Sequence, residues 1–250
     1  TNLKSLASKG VTLKMDGKAL TVSGEANFAG DITAKTATFS KTGANTTEGD
    51  YDAKLGGNNT IETLSFTGHG MINNGGTTKV TDTLTVAVKK SVTVAQGATL
   101  DAKHITLTKK TGTGNDNTQL IVGQDSRTAK KNGIDIAIGS STGYLVANTV
   151  KLNGGDLIAD PDFGGAASIV SVAGFGDATF DTTKGSAGTV DGKAIALQNS
   201  ILAVGVEKSD KTLEKLQDLF ADYLDPRTGS LISEGYGSIM YVAKNVTVDG

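Results

Sequence analysis

The side chains of this 250-residue chain that are best suited to acid–base or metal chemistry are two histidines and a group of aspartates. The histidines, His69 and His104, stand 35 residues apart, and neither lies in a metal-binding spacing such as H-E-x-x-H. An imidazole titrates near neutral pH, so each would suit a general base or a zinc ligand. His104 directly precedes the apolar triplet ITL, which favours a place at a corner of the fold over a catalytic role.

The segment DPDFGG offers the best metal candidates, because it places Asp160 and Asp162 two residues apart ahead of two glycines. Alternate carboxylates could share Ca²⁺, although the same residues also form an ordinary turn. Downstream, GFGDATFD resembles the Gly- and Asp-rich calcium nonapeptide in part, but it lacks the leading glycine pair and is not repeated. The turn is therefore the simpler interpretation, and Asp160 and Asp162 stay as the calcium candidates.

Catalytic signatures are missing from the sequence. It has no G-x-S-x-G nucleophile elbow, no P-loop and no dinucleotide fingerprint. A polysaccharide-cleaving fold would need carboxylates grouped on one face, and the available set is Asp156, Asp160, Asp162 and Asp177. Trp is absent, so the strongest sugar-stacking ring is missing too. The sequence therefore predicts a protein that is not an enzyme and that uses no cofactor.

The overall composition excludes several other classes. Lys and Arg number 24 against 26 Asp and Glu, so there is no basic field to attract nucleic acid. Cys is absent, which excludes disulfides and thiolate metal sites. No apolar run approaches the roughly 20 residues of a membrane helix. The chain starts without Met and ends on NVTVDG, the beginning of another strand, so we interpret residues 1–250 as one segment of a longer chain.

The elements that must position these side chains are very short strands with an apolar–Thr–apolar pattern. Turn residues such as MDGK, AQG, NGGD and NNGG separate them. Related strands that lack Thr include IDIAI, IVSV and ILAV. The copies with Thr or Ser are VTL at Val11, LTV at Leu20, ATF at Ala37, LSF at Leu64, LTV at Leu84, VTV at Val92, ATL at Ala98, ITL at Ile105, ATF at Ala178 and VTV at Val246.

The spacing of the triplets favours a β-solenoid over a sandwich or barrel. Corners fall every six to eight residues between Leu84 and Leu107, and Thr85 and Thr106 are 21 residues apart. Three strand-and-corner units then form one coil, within the length range of structural repeats. Alternation places the apolar residues inside and the central Thr outside. We therefore predict an all-β fold, a three-sided parallel β-helix with irregular rungs. Its right hand is predicted from the crossover preference and from the family resemblance given below, since periodicity alone does not give it.

Three stretches do not fit the coil pattern. Residues 42–59 and 110–117 are rich in Gly, Asn, Asp and Thr, and we expect them to lie outside the stack. Residues 209–226 predict an α-helical insertion, with Ser209 or Asp210 as its cap and Pro226 as its end. Its apolar stripe either covers a flank of the solenoid or binds a partner. The candidate partner-binding residues are Leu213, Leu216, Phe220 and Tyr223.

Two stretches resemble the passenger domains of bacterial type V autotransporters: LTVAVKKSVTVAQGATLDAKHITL and TVKLNGGDLIAD. The resemblance covers most of the chain except the helical insertion. It implies export through the outer membrane of a Gram-negative bacterium, followed by surface display or release. The serine-protease members carry G-D-S-G-[SP], which is absent here, so no catalytic residue is implied.

The function expected from the resemblance is adhesion to a protein or glycan on a host-cell or bacterial surface, through the flank and loops of the solenoid. Self-association through the open ends or a flank is a further expectation. Two alternatives remain open. One is a glycan-processing β-helix enzyme or a phage tail-fibre segment, and the other is a segment of a vacuolating or pore-forming toxin.

Overall fold

A computed structural model of the chain describes most of its residues. The described residues are 1–8, 10–41, 51–73, 75–88, 91–108, 118–123, 130–131, 134–135, 142–161, 166–176, 179–180, 194–232 and 237–243, with the side chains of 130–131, 134–135, 179–180 and 194 excepted. The predicted all-β fold is confirmed: within these residues, two large parallel sheets form a parallel β-helix, and one short α-helix lies near the C-terminus. The right hand stays a prediction.

The larger sheet has eleven strands in the described part of the chain. They are β1 (Asn2–Leu3), β3 (Leu13–Lys14), β4 (Ala19–Val22), β6 (Ile32–Phe39), β8 (Asn58–Phe66), β10 (Thr77–Val86), β12 (Thr99–Leu107), β16 (Tyr144–Lys151), β18 (Ser168–Gly176), β21 (Ser200–Val204) and β22 (Ile239–Val242). Each strand after β6 pairs with a strand one coil before it, so the sheet runs along the whole stack.

The second sheet has nine strands among the described residues. They are β2 (Leu6–Ser8), β5 (Ala26–Phe28), β7 (Ala53–Leu55), β9 (Gly70–Ile72), β11 (Ser91–Val94), β13 (Gln119–Val122), β17 (Asp156–Ala159), β19 (Thr179–Phe180) and β20 (Ala194–Leu197). Two further strands, β14 (Lys130–Lys131) and β15 (Ile134–Asp135), pair with each other in an antiparallel orientation. The expectation that IDIAI belongs to the stack is therefore wrong at Ile134 and Asp135.

Each coil has three sides because the long strands of the larger sheet are divided by a corner into two parts. In β12, buried and half-buried residues alternate over 99–102 and again over 104–107, and the exposed Lys103 interrupts the alternation. In β10 the corner holds an extra residue, which shifts the register between Val80 and Thr83. We call the part before the corner the first limb and the part after it the second limb. The second sheet forms the third side.

The predicted repeat length is confirmed by the register. Thr85 pairs with Thr106, so VTV, ATL and ITL are the three sides of one coil. The inward residues of the second limb stack from coil to coil and are all buried: Val22, Phe39, Phe66, Val86 and Leu107. Burial of each such side chain stabilises the fold by roughly 1.5–3 kcal/mol. A coil too short to be stable alone is therefore held by the coils on either side.

The outer face of the second sheet departs from the expected pattern. The central Thr of VTV, Thr93, points outward but is only 1% exposed. Tyr51 reaches it with its hydroxyl, which lies 3.4 Å from the Thr93 Oγ1. Further along the same face, Met71, Ile121 and Ile158 are also buried. The prediction that every central residue faces solvent is wrong on this side, although it holds on the second limb.

The loop predicted over residues 42–59 is partly wrong. Ala53–Leu55 is strand β7, paired with β5 and β9, and Asn58 begins β8. The Gly and Asn residues that suggested a loop serve the corner between these strands. Gly57 adopts a positive φ of 66° there, and Asn59 points inward with its polar atoms bonded. Residues 42–50 and the second predicted loop, 110–117, lie outside the described residues.

The helical insertion is present but shorter than predicted. Helix α1 spans Thr212–Phe220, and a 3₁₀ turn follows over Ala221–Tyr223. Lys211 occupies the N-cap without a side-chain cap bond, so neither Ser209 nor Asp210 caps the helix. The chain turns extended at Leu224, which forms an isolated bridge with Leu231. The helix therefore ends before Pro226 can block it.

Candidate functional site

The predicted aspartate cluster does not form among the described residues. Asp156 begins β17 and Asp160 directly follows it, both on the outer side of the strand, with the buried Ile158 between them. Four residues of extended chain place them about 13 Å apart. Asp162 and Asp177 lie outside the described residues. Within the part of the chain that the structure describes, no three His, Asp or Glu side chains are grouped so that they could hold a metal ion.

His104 lies beside the corner residue Lys103, as expected from its place before ITL. It occupies an outward position at the start of the second limb of β12. Its ring Nδ1 is hydrogen-bonded to the Oγ1 of Thr149 on the next coil, at 2.8 Å. This bond gives the imidazole a structural partner within a row of hydroxyl-bearing residues.

His69 belongs to a polar cluster that sequence reasoning missed. Its ring Nε2 and the Ser91 Oγ are hydrogen-bonded at 2.9 Å, and the Tyr51 ring packs on the imidazole at a centroid distance of 4.3 Å. His69 and Ser91 are 22 residues apart, which is one coil, so only the coil length could have predicted their contact. A hydroxyl bonded to an imidazole is the arrangement of an activated nucleophile. Here Ser91 is 8% exposed beneath Tyr51, so the arrangement is a packed polar cluster.

An ion-pair relay flanks this cluster. The Lys41 Nζ lies 2.7 Å from the Glu25 Oε1 and 3.4 Å from the Asp52 Oδ1. The hydrogen bond and positive charge of Lys41 lower the pKa of Glu25, and the same hydrogen bond raises the pKa of Lys41. Asp52 in turn accepts a bond from the backbone N–H of His69. The relay ties three successive coils together.

The helix residues predicted to bind a partner are divided between two environments. Leu216 and Phe220 are 1% exposed and pack on the outer face of the first limb, and Leu213 packs partly against the same cluster. These three positions are therefore occupied by contacts within the chain. Tyr223 is 52% exposed, and its ring meets Phe220 edge-on at 6.4 Å. It is the member of the predicted set that remains available to a partner.

The outward side chains of the second limb form two regular rows of hydroxyl groups. In-register pairing places each residue next to its counterpart on the following coil. We call this surface the threonine face. Its first row is Thr36, Thr63, Thr83, His104 and Thr149, and its second row is Thr21, Thr38, Ser65, Thr85 and Thr106.

The backbone fixes the spacing of the threonine face. Neighbouring coils lie about 4.8 Å apart, and the two rows are about 6.7 Å apart because they are two residues apart on each strand. All ten side chains are half-buried, so their methyl and hydroxyl groups reach the surface while their neighbours in the rows restrict them. The second row ends at Lys151, and Gly174 and Gly176 continue both rows without side chains.

The types of residue on the threonine face differ from those on the rest of the solenoid surface. Nine of its ten positions carry a hydroxyl, and charged side chains lie instead at the neighbouring corner, where Lys35, Glu62, Asp82 and Lys103 are exposed. The outer face of the first limb carries charges at Lys79 and Asp101, and later becomes apolar. High β-propensity alone would accept Val, Ile or Tyr at these outward positions too. The threonine face is therefore the best candidate for a functional surface.

No known protein family, no curated protein and no solved structure matches this chain. Among the described residues, no helix has the length and apolar character that crossing a membrane requires.

Proposed function

We propose that this chain is a non-catalytic β-helix module of a secreted or surface-displayed adhesin, similar to an autotransporter passenger of a Gram-negative bacterium, and that it binds a surface glycan through the threonine face. The observation that carries the proposal is the pair of in-register hydroxyl rows on an uncharged face. Threonine offers a hydroxyl that both donates and accepts hydrogen bonds, beside a methyl group that packs on the CH face of a sugar.

An extended neutral polysaccharide fits this surface better than a compact or charged ligand. A single hydrogen bond to a solvated partner contributes only about 0.5–1.5 kcal/mol net. Rows that repeat every coil let a repeating polymer form many such contacts at once, so that the weak contacts reinforce one another. Since the face itself carries no full charge over five coils, its affinity should depend little on salt.

The proposal is tested by measuring the binding of the intact chain to a panel of immobilised neutral and acidic polysaccharides. The disrupting variant is Thr38→Lys with Ser65→Lys, which puts two charges into the second row. The matched control is Thr33→Lys with Thr60→Lys, which changes two exposed threonines on the first limb of the same strands, β6 and β8.

The expected result is binding to a neutral polysaccharide that the first variant abolishes and the control retains. Equal loss in both variants, or no binding across the panel, would overturn the proposal. Release of shortened glycan products during the assay would instead support a glycan-processing enzyme.

A further inference from the structure

The insertion that contains helix α1 is attached to the solenoid differently from the coils themselves. After β21, residues 206–231 leave the stack and return to it. Lys208 reaches Asp101 on β12, with Nζ and Oδ1 2.9 Å apart. Asp101 is in register with Val146, Ser171 and Ala203 on the three strands that follow β12 in the sheet. Lys208 comes shortly after Ala203 in the chain, so its contact with Asp101 lies three strands, or about 14 Å, back along the stack. We call residues 206–231 the strap.

The strap covers the part of the first limb where the outward side chains become apolar. On β12 those side chains are Thr99 and Asp101, but on later coils they include Val146, Ile169, Ile201 and Ala203. These residues form a cluster with Leu216, Phe220 and Leu231 of the strap, and that cluster is separate from the main core. The strap therefore has its own small hydrophobic interface.

One residue in the covered stripe is polar. Ser171 is 1% exposed, its Oγ has no hydrogen-bond partner among the described residues, and its neighbours in the ladder, Val146 and Ala203, both belong to the cluster. Burial of an unpartnered hydroxyl is unfavourable, and exposure to water relieves that cost. The closed position of the strap is thus less stable than its apolar contacts alone would make it.

The strap also has little stability of its own. Helix α1 has nine residues and no side-chain N-cap bond, and a helix of this length is marginal in water without tertiary contacts. Its polar contacts with the coils include the partly buried Lys208–Asp101 pair, the exposed pair between Asp210 and Lys79 at 3.9 Å, and one backbone bond from the Ala167 N–H to the Gly229 carbonyl at 2.9 Å. In contrast, each inner coil is held on two sides by in-register backbone bonds and by the continuous core.

From these observations we infer that residues 206–231 form a strap that opens as a unit while the coils stay folded. Opening uncovers the apolar stripe of Val146, Ile169, Ile201 and Ala203, and it returns the Ser171 hydroxyl to water. Cooperative local opening of this kind occurs in segments with few buried contacts compared with the rest of a protein. The inference does not depend on glycan binding by the threonine face.

The absence of cysteine makes a direct test possible. In the intact chain, Ser171→Cys places a thiol beneath the strap, and Ala102→Cys or Ala147→Cys places one in the main core, where both alanines are 0% exposed. Under native conditions, we expect a thiol reagent to modify Cys at position 171 at least about 100-fold faster than at position 102 or 147, since only local opening exposes it. Equal rates at the three positions would overturn the inference.

Three further variants test whether the strap is the element that moves. In the Ser171→Cys background, Lys208→Gln should raise the labelling rate about threefold to tenfold, while Lys211→Gln, an exposed lysine at the helix start, should not. In the otherwise native chain, Ser171→Ala should slow hydrogen exchange of the α1 amides by about tenfold because it removes the unpartnered hydroxyl. The inference fails if Lys208→Gln accelerates labelling at position 102 equally, or if Ser171→Ala does not slow exchange.

Discussion

Asn59 shows how one polar residue can stabilise three coils from inside the solenoid. It is 1% exposed. Its Oδ1 accepts a bond from the Ile32 N–H at 3.0 Å, and its Nδ2 donates to the Gly56 carbonyl and the Thr78 hydroxyl. Ile32 lies in the coil before Asn59 and Thr78 in the coil after it. A buried amide is tolerated here because both its oxygen and its nitrogen have hydrogen-bond partners.

Replacing this side chain should therefore be costly. We expect Asn59→Ala to lower the free energy of unfolding by about 2–4 kcal/mol, since buried backbone groups at Ile32 and Gly56 lose their partner. The adjacent Asn58→Ala provides the matched control, because Asn58 is exposed, and we expect a change within about 0.5 kcal/mol. Urea unfolding of both variants measures the difference, and similar values for the two would contradict this account.

Gly70 is needed for steric reasons rather than for backbone freedom. A Cβ at this position would lie 2.6 Å from the Phe66 Cδ1, inside the coil. We expect Gly70→Ala to cost about 1–3 kcal/mol of stability, and Phe66→Leu in the same chain to recover part of that loss by making room. Gly174→Ala is the control, since nothing lies within 4 Å of a Cβ there. Strictly additive effects of the Gly70 and Phe66 changes would argue against the proposed contact.

The Glu25–Lys41 pair makes a small, pH-dependent contribution. Because Lys41 lowers the pKa of Glu25 in the folded chain, the pair stabilises the fold above the ordinary Glu value of 4.5. That contribution is lost as the pH falls through the lowered pKa. We expect Glu25→Gln to reduce the melting temperature slightly at neutral pH and not at strongly acidic pH. A difference in melting temperature between wild type and variant that grew on acidification would contradict this prediction.

At the scale of the element, the repeated strands and the length of the coil were the features that could be predicted most reliably from the sequence. Thr85 and Thr106 stand at equivalent places in similar triplets, so their separation gave the coil length directly. The covered faces were harder to predict, because a triplet does not say what packs on its outer side. One signal was present: YLVA, SIVS and ILAV have apolar or small residues where other triplets carry Thr, and these are the strands beneath the strap.

Contacts between coils explain the features that local patterns could not give. His69 meets Ser91, and Tyr51 covers Thr93, only after the coils are stacked in register. Similarly, the chain after helix α1 is extended at Leu224, where it forms a bridge with Leu231. Local propensity predicted the presence of the helix but not the residue at which it ends.

The helix itself should unfold before the sheet. Phe220 is 1% exposed, whereas its neighbour Leu219 is 41% exposed. We expect Phe220→Ala to remove the helical circular dichroism signal at a lower denaturant concentration than in the wild type, while the unfolding midpoint of the sheet changes little, because the cluster beneath the strap is separate from the main core. Leu219→Ala should leave both transitions in place. Loss of the sheet together with the helix would show that the strap and the coils form one cooperative unit.

At the scale of the whole molecule, the solenoid adds surface in one dimension. Each coil contributes the same two outward positions to the threonine face, so the face grows with the number of coils rather than with the size of any loop. The other two sides are used differently: the strap covers part of the first limb, and the outer face of the second sheet is buried at Met71, Thr93, Ile121 and Ile158. In the part of the chain that the structure describes, the second limb is the side whose outward residues stay partly exposed over successive coils.

This architecture makes a quantitative prediction for glycan binding. Replacing the outward hydroxyl residues of one strand at a time by Val keeps the shape and β-propensity of the face but removes its hydrogen bonds. If the glycan lies along the rows, each strand contributes independently. The affinity should then fall about threefold to tenfold for each strand changed, for Thr36 and Thr38, then Thr63 and Ser65, then Thr83 and Thr85.

Thr33→Val and Thr60→Val on the first limb serve as the control and should leave the affinity unchanged. Surface plasmon resonance at low and high salt measures both the affinity and its salt dependence, which should be small for an uncharged face. A complete loss after the first strand would instead indicate one local pocket, and a strong salt dependence would assign binding to the charged corner. A graded loss along the stack is the result that only an extended, repeating surface can produce, because no other arrangement gives every coil an equal share of the binding energy.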